Sequence, residues 1–308
     1  MDLQPGTWVT ETVRLEHRIA VGGMAEVWQG EHVTLGMKVA VKCLLPRLTR
    51  RDGALGRFLR EAQVAARLNE PHTVRVLDCI LRSSGEGEAL ACIVMELLDG
   101  EDLGRRLARV GHLSLDQTEA IVSQIACALD AAHALGIVHR DVKPENIFLG
   151  VRAGGLQAKL LDFGVANDLR SARALTASGL TVGTPQYMSP EQLRGIRDVD
   201  GRSDVWSLAV VAYGCLVGKA PFEGRTVAAM GLAMSEGKPR PPSSRRSDLP
   251  SSVDVVFARA FDPRIESRFQ RAIDLAEALH GARLAQPVRD ELRVAGGRRA
   301  MRGLLPRV

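Results

Sequence analysis

Two aspartates, an asparagine and two lysines are the residues of this sequence best suited to chemistry. The polar run His139-Arg140-Asp141-Val142-Lys143-Pro144-Glu145-Asn146 follows the apolar pair Ile137-Val138 and leads into Ile147-Phe148-Leu149. A loop between short apolar segments can aim several side chains at one point. Asp141 can accept a proton or orient a hydroxyl, and Asn146 can ligate a metal through its amide oxygen. Leu160-Leu161-Asp162-Phe163-Gly164 then places a second aspartate directly after an apolar strand. A carboxylate and an amide oxygen suit Mg²⁺, which takes few protein ligands and completes its shell with phosphate oxygens. One such aspartate is more often a turn or cap residue. Two of them in this order, with Lys143 between, make that reading a poor one.

These groups need elements to position them. Up to about residue 97 the pattern is strand-like, over Val13–Ile19, Val27–His32, Met37–Cys43, Val74–Leu81 and Ala91–Glu96. One helical segment, Gly56–Asn69, interrupts it. Phe58, Glu61, Ala65 and Leu68 share a face of that helix. Glu61 thus stands on an apolar stripe, where a carboxylate is costly unless paired. Lys42, ending Val39-Ala40-Val41-Lys42, is a reasonable partner; the alternative is a glutamate at the stripe's edge reaching solvent. Beyond residue 100 helical signals dominate. Ser114 and Gln117 read as a capping box, with Ile121, Val122, Ile125, Leu129 and Ala132 on one face and Gly136 as the stop. A helix opening near Ser203 or Asp204 is apolar almost all round through Val217, which implies burial. A third helix covers 272–284, and Lys238–Pro250 reads as a loop. No internal repeat is found.

Taken together the motifs resemble those of the Hanks-type, eukaryotic-like protein kinases, closest to the bacterial serine/threonine kinases. The resemblance covers roughly residues 13–285. It rests on Val39-Ala-Val-Lys42, on Phe58-Leu-Arg-Glu61-Ala, on the ungapped His139–Asn146 run, on Asp162-Phe-Gly, on Ser189-Pro-Glu191, on Ser203-Asp-Val-Trp-Ser-Leu208 and on the late Arg268, which resembles the arginine that pairs with Glu191. It implies an α+β, bilobal fold: a small, mainly antiparallel β lobe with one helix (13–97) and a larger helical lobe (98–285). Residues 1–12 are then an N-terminal extension and 286–308 a basic tail.

The resemblance also implies roles. Lys42, held by Glu61, contacts the ATP phosphates. Asn146 and Asp162 hold Mg²⁺, with Mn²⁺ as a substitute. Asp141 orients the attacking hydroxyl and accepts its proton, Lys143 neutralises charge near the γ-phosphate, and Thr184 reaches the Asp141 and Lys143 pair. The nucleotide-contacting set is Ile19, Ala20, Val21, Gly22, Gly23, Met24, Ala25, Val27, Ala40, Lys42, Met95 as gatekeeper, the hinge residues Glu96 and Leu98, and Leu149. Asp204 either bonds the backbone of the 139–146 loop or serves as a plain N-cap.

The phosphate-covering loop departs from the family pattern, because Ala20 and Ala25 stand where two of its three glycines are usual and only Gly22 remains, joined by Gly23. Ala20 bears more on ATP affinity, and ATP binding is expected to survive. This departure is the sole support for a pseudokinase scaffold as an alternative function. Lys143 and the segment Gly183-Thr184-Pro185-Gln-Tyr187 imply protein substrates with Ser/Thr hydroxyls. Thr176, Ser178 and Thr181 are expected autophosphorylation sites whose charge could pair with Arg140, with a homodimer as the arrangement for phosphorylation in trans.

Composition agrees with a globular enzyme. The chain has 308 residues, 45% hydrophobic and 25% charged, but only 4% aromatic, so aliphatic side chains must build the core. The net charge of +5 decides nothing alone, and no motif supports nucleic-acid binding. Five scattered cysteines without a CxxC pair argue against a disulfide framework or zinc site and for a reducing compartment, hence a cytoplasmic protein. Residues 1–20 carry no signal-peptide pattern, and the apolar run Leu208–Val217 is too short to span a bilayer. The tail 286–308 sets six arginines against Asp290 and Glu291, a local charge of +4.

Overall fold

The computed structural model describes residues 3–49, 53–84, 88–152, 155–163, 185–196, 198–224 and 226–285. Thr176, Ser178, Thr181, Thr184 and the tail lie outside them.

The first lobe is a five-stranded antiparallel sheet of β1 (Val13–Val21), β2 (Ala25–His32), β3 (Met37–Leu44), β4 (Val76–Ser84) and β5 (Glu88–Glu96), in the spatial order β1-β2-β3-β5-β4. A short helix α1 (Pro46–Thr49) and the longer α2 (Ala54–Arg67) connect β3 to β4. Successive residues of a strand point to opposite faces of the sheet. One inward set, with Leu15, Trp28, Val39, Val41, Ile80 and Val94, fills one face of the sheet. Val9, in the segment preceding β1, is fully buried in the same cluster. On the other face Phe58 and Ala62 of α2 pack against Leu44 and Ile93. That contact turns Glu61 toward β3.

The second lobe begins with β6 (Glu101–Asp102), α3 (Leu103–Val110) and α4 (Leu115–Ala134). Ser114 and Gln117 form the expected capping box, and Gly136 adopts φ +73° just past the helix end. β7 (Ile147–Arg152) and β8 (Gly155–Leu160) complete a three-stranded sheet with β6. Among the described residues the remaining α-helices are α5 (Pro190–Leu193), α6 (Arg202–Val217), α7 (Val227–Glu236), α8 (Pro242–Arg245), α9 (Ser252–Ala260) and α10 (Ala272–Leu284). α8 lies within a stretch that the sequence suggested was wholly loop; Pro at its first turn supplies the preset φ that starts a helix.

α6 is buried on nearly every side, as its all-round apolar sequence requires. It ends at Gly218 with φ +72°, where a Cβ would meet the Gly111 carbonyl at 2.5 Å. Trp206 of α6 stacks on Phe222 at 5.6 Å and meets Phe261 edge-on at 5.0 Å, so the few aromatics concentrate beneath one helix. Arg268 lies over the Trp206 ring at 4.5 Å and donates to Glu191 at 3.2 Å. Both charges are buried, and Ser203 also donates to Glu191 at 2.9 Å.

Removing one partner of a buried pair strands the other. Arg268→Ala is expected to lower unfolding free energy by about 3–5 kcal/mol in urea denaturation; a loss below about 1 kcal/mol would show that the pair does not lock α5 to the segment between α9 and α10.

Candidate active site

β3 and β5 lie side by side, with Ala40 opposite Met95 and Lys42 opposite Ile93. This register points Ala40 and Lys42 into the space between the lobes. A cavity of about 300 Å³ opens there. Ile19, Ala20 and Val27 cover it, Met95 to Leu98 form its back edge, and Phe148, Leu161 and Asp162 form its floor. An apolar slot with a few polar groups at one end suits a planar heterocycle bearing a charged tail.

Lys42 stands at the polar end. Its Nζ lies 2.6 Å from Glu61 Oε1 and 2.8 Å from Asp162 Oδ1. Burial alone would lower the Lys42 ammonium, but the Asp162 and Glu61 carboxylates override it and hold Lys42 above its ordinary value. Burial pushes the Glu61 carboxyl up, with Lys42 opposing. Against the same upward push, the Lys42 ammonium holds Asp162 below the usual carboxylate range. Of the two readings of Glu61, the paired one is therefore realised. α2 supplies the carboxylate because its apolar face is committed to the sheet.

The 139–146 loop is held from below. Asp204, fully buried in the first turn of α6, accepts from the backbone N–H of His139 at 2.8 Å and of Arg140 at 2.7 Å. His133 Nε2 also meets its carboxylate at 2.8 Å. Gly201, not Asp204, is the N-cap of α6, so the loop-bonding reading of Asp204 holds. Arg140 takes φ 65°, a strained conformation for a residue with a side chain, and the two N–H bonds to Asp204 hold it there. His139 is buried; its Nδ1 faces the Asp141 N–H at 3.2 Å and its Nε2 faces the Leu161 carbonyl at 2.9 Å. The imidazole thus ties the Asp141 loop to the chain just before Asp162.

Above this support the polar groups converge. Lys143 Nζ donates to Asp141 Oδ2 at 2.7 Å. Asn146 Nδ2 donates to the Asp141 carbonyl at 2.8 Å and to Oδ2 at 3.1 Å. Leu161 N–H bonds the Asn146 carbonyl at 2.8 Å, which continues the β7–β8 ladder and sets Asn146 beside Asp162.

The loop between β1 and β2 closes with a Gly22 N–H bond to the Ala25 carbonyl at 2.8 Å. Val21, Gly22, Gly23, Met24 and Ala25 sit at that tip rather than along the cavity wall. Ala25 is buried against the sheet, and Met24 packs with it. A Cβ at Gly22 would lie 3.2 Å from the Ala25 carbonyl, so this glycine keeps the turn tight.

One assignment needs correction. Leu149 faces the helical core, and its neighbour Phe148 lines the cavity. Successive residues of β7 point to opposite sides, so a one-residue error in phase exchanges the two. His139 stands in the recognised motif without a role of its own, and His133 and Lys159 carry no local motif at all. For Lys159 the signal available was a lysine between Ala158 and Leu160, which are both fully buried. Thr184 lies outside the described residues, but Pro185, Gln186 and Tyr187 follow it as a 3₁₀ turn packed on α6, and Ser207 donates to the Tyr187 carbonyl at 2.7 Å.

Two lobes around such a cleft, with a clamped lysine above and two aspartates and an amide below, define a nucleotide-dependent phosphotransferase architecture. The protein kinase domain family matches residues 13–269, and the chain belongs to that family. It is 39% identical over 278 residues to the serine/threonine-protein kinase Pkn1 of Myxococcus xanthus, covering 90% of this chain and 39% of that protein. It is 37% identical over 276 residues to the serine/threonine-protein kinase PknH of Mycobacterium tuberculosis, covering 90% and 42%. The chain thus spans less than half the length of these relatives. The crystal structure of the Mycobacterium tuberculosis PknI kinase domain superposes with a TM-score of 0.69 at 29% identity, covering 91% of this chain and all of that one.

Asp204→Ala leaves the buried His139 N–H and the partly buried Arg140 N–H without their charged acceptor. It is expected to cost about 2–4 kcal/mol of stability and to cut phosphate transfer even where folding is restored by low temperature; chemical denaturation beside an activity assay at 10–15 °C checks both, and full activity in the folded variant would sink the positioning role.

Proposed function

We propose that this chain is an active serine/threonine protein kinase domain, occupying residues 13–285, that transfers the γ-phosphoryl group of ATP to hydroxyls of protein substrates. The observation that carries the reading is the position of Lys42 between Glu61 and Asp162, at 2.6 and 2.8 Å, above the Asp141–Lys143–Asn146 cluster.

The adenine ring fits the slot beneath Ile19, Ala20 and Val27, beside Ala40 and Met95 and over Phe148. Its edge meets the backbone of Glu96, the last residue of β5, and of Leu98 just beyond it, at the back of the cavity. The phosphates then extend toward Lys42, with Val21 to Ala25 as their cover. Glu61 holds the ammonium in place so that it binds the α- and β-phosphates without reorganisation. The donor set at Asn146 and Asp162 fits a hard cation: with the Asn146 amide nitrogen donating to Asp141, its oxygen is the atom left to ligate, beside the Asp162 carboxylate. Mg²⁺ held there, or Mn²⁺ in its place, supplies charge neutralisation to the triphosphate. Asp141 orients the acceptor hydroxyl and takes its proton. Lys143, already bonded to Asp141, neutralises charge that builds on the transferring group. Thr184, outside the described residues, is the further residue of this reading that acts with Asp141 and Lys143. Alignment and preset electrostatics supply most of the rate.

Sequence features outside the described residues extend the reading. Thr176, Ser178 and Thr181 are candidate autophosphorylation sites, and a homodimer would present them in trans. The described cysteines are free thiols, in keeping with a reducing cytoplasm. No helix among the described residues is long and apolar enough to cross a membrane. A scaffold without transfer is disfavoured because every polar group the reaction uses is present, and because the relatives at 37–39% identity carry kinase names.

Radiolabelled ATP with a generic basic protein substrate tests the proposal. Asp141→Asn is expected to lower transfer by about 10²–10⁴-fold, and Lys42→Ala by about 10²-fold or more with the fold intact; equal labelling by wild type and Asp141→Asn would defeat the enzymatic reading. Phosphopeptide mass spectrometry of the same reactions checks the loop sites, which should be modified in wild type and bare in Asp141→Asn. Ala20→Gly is expected to lower the ATP KM about threefold by relaxing the loop, and an unchanged or higher KM would show that Ala20 does not limit nucleotide access.

A further inference from the structure

β8 carries a charged residue that the transfer chemistry does not use. Ala158 and Leu160 are fully buried in the helical lobe, and strand alternation turns Lys159 between them to the opposite face. Lys159 is itself buried, at 9% side-chain exposure. Its Nζ donates to Glu96 Oε1 at 2.6 Å and to the Thr73 carbonyl at 2.9 Å. The same Glu96 oxygen accepts the Arg75 N–H at 2.8 Å, and the Glu96 N–H bonds the Arg75 carbonyl at 3.0 Å. A buried ammonium is costly unless charge and hydrogen bonds surround it, so this arrangement resists any movement that separates its parts.

The positions of the two ends give the pair its meaning. Glu96 is the last residue of β5, and the backbone from Glu96 to Leu98 forms the rear edge of the cavity. Lys159 pairs across the ladder with Phe148, the cavity floor, and stands three residues before Asp162. Thr73 belongs to the segment between α2 and β4, whose backbone bonds β8 through Leu160 N–H to the His72 carbonyl at 2.7 Å. One ammonium therefore joins the nucleotide-edge segment, the segment following α2 and the strand leading to the candidate metal ligand. Lys159 does not line the cavity.

We propose that Lys159 is a positioning residue that sets the height of the Glu96–Leu98 backbone over the floor of the cleft, and so determines nucleotide affinity rather than recognition of the protein substrate. The inference rests on the kinase reading of the cleft. Without the ammonium, the partly buried Glu96 carboxylate loses the charge that ties it to β8, and the backbone that meets the adenine edge shifts with it. Arginine can keep the charge, and removing the Glu96 charge as well relieves the strain.

The test is ADP binding by calorimetry, with and without Mg²⁺, together with ATP and peptide steady-state kinetics. The proteins are wild type, Lys159→Met, Lys159→Arg, Glu96→Gln and the Lys159→Met/Glu96→Gln double variant. Lys159→Met is expected to weaken ADP binding and raise the ATP KM by about tenfold, with the peptide KM unchanged. Lys159→Arg and the double variant should each recover at least half of that loss on a logarithmic scale. ADP affinity within about twofold of wild type in a folded Lys159→Met protein, a peptide KM that rises as far as the ATP KM, or failure of both recovering variants would overturn the proposal. If Lys159→Met does not fold, Glu96→Gln decides the matter by the same ATP-against-peptide split: a raised ATP KM with the peptide KM unchanged supports the proposal, and an unchanged ATP KM overturns it. Wild type that neither binds ADP nor transfers phosphate would instead overturn the kinase reading, since the ADP measurement needs no transfer.

Discussion

The cleft is organised around a single buried ammonium placed between two carboxylates from different parts of the fold. Lys42 comes from β3, Glu61 from α2 and Asp162 from just beyond β8, with Nζ–O distances of 2.6 and 2.8 Å. Such a cation tolerates burial only while its partners are present. The position of α2 against the sheet, the height of β3 over the floor and the exit of the chain after β8 are therefore mutually constrained. A phosphate chain entering this space offers Lys42 new anionic partners, while a cation offers Asp162 an alternative to the lysine. The site is prepared for a ligand that brings both charges at once.

Beneath it, a second buried charge serves the backbone instead of the ligand. Asp204 accepts two N–H groups of the 139–146 loop and faces His133. This lets Arg140 keep an uncommon φ and fixes the direction in which Asp141 leaves the loop. Buried α6 carries Asp204, Trp206 and Ser203, so one apolar helix supports the reactive loop, the aromatic cluster and the Arg268–Glu191 pair together. Lys159 and Glu96 play a comparable part at the junction of the lobes.

Much of this was legible in the sequence where a feature is local. Helix boundaries followed from caps and periodicity: the Ser114 box forms as its residues suggest, and the all-round apolar helix ends at Val217 as its pattern does. Lys42, Glu61, Asp141, Asn146 and Asp162 could be named because their order and types are specific. What escaped were relations between segments far apart in the chain. Phe148 and Leu149 were exchanged because neither hydropathy nor spacing gives the phase of a short apolar strand. Lys159 looked like an ordinary strand lysine because Glu96 and Thr73, its partners, are 63 and 86 residues away.

The sequence by itself determined which polar groups were suited to chemistry, the five-strand-then-helical order and the need to pair Glu61, since residue type, period and capping are properties of neighbouring residues. Tertiary structure alone decided which face of β7 meets the nucleotide space, that Asp204 supports a loop rather than capping a helix, and that Lys159 bridges the lobes. The physical reason is that burial and charge pairing depend on which distant segments are packed together, and a buried charge takes its function from the partner that packing provides.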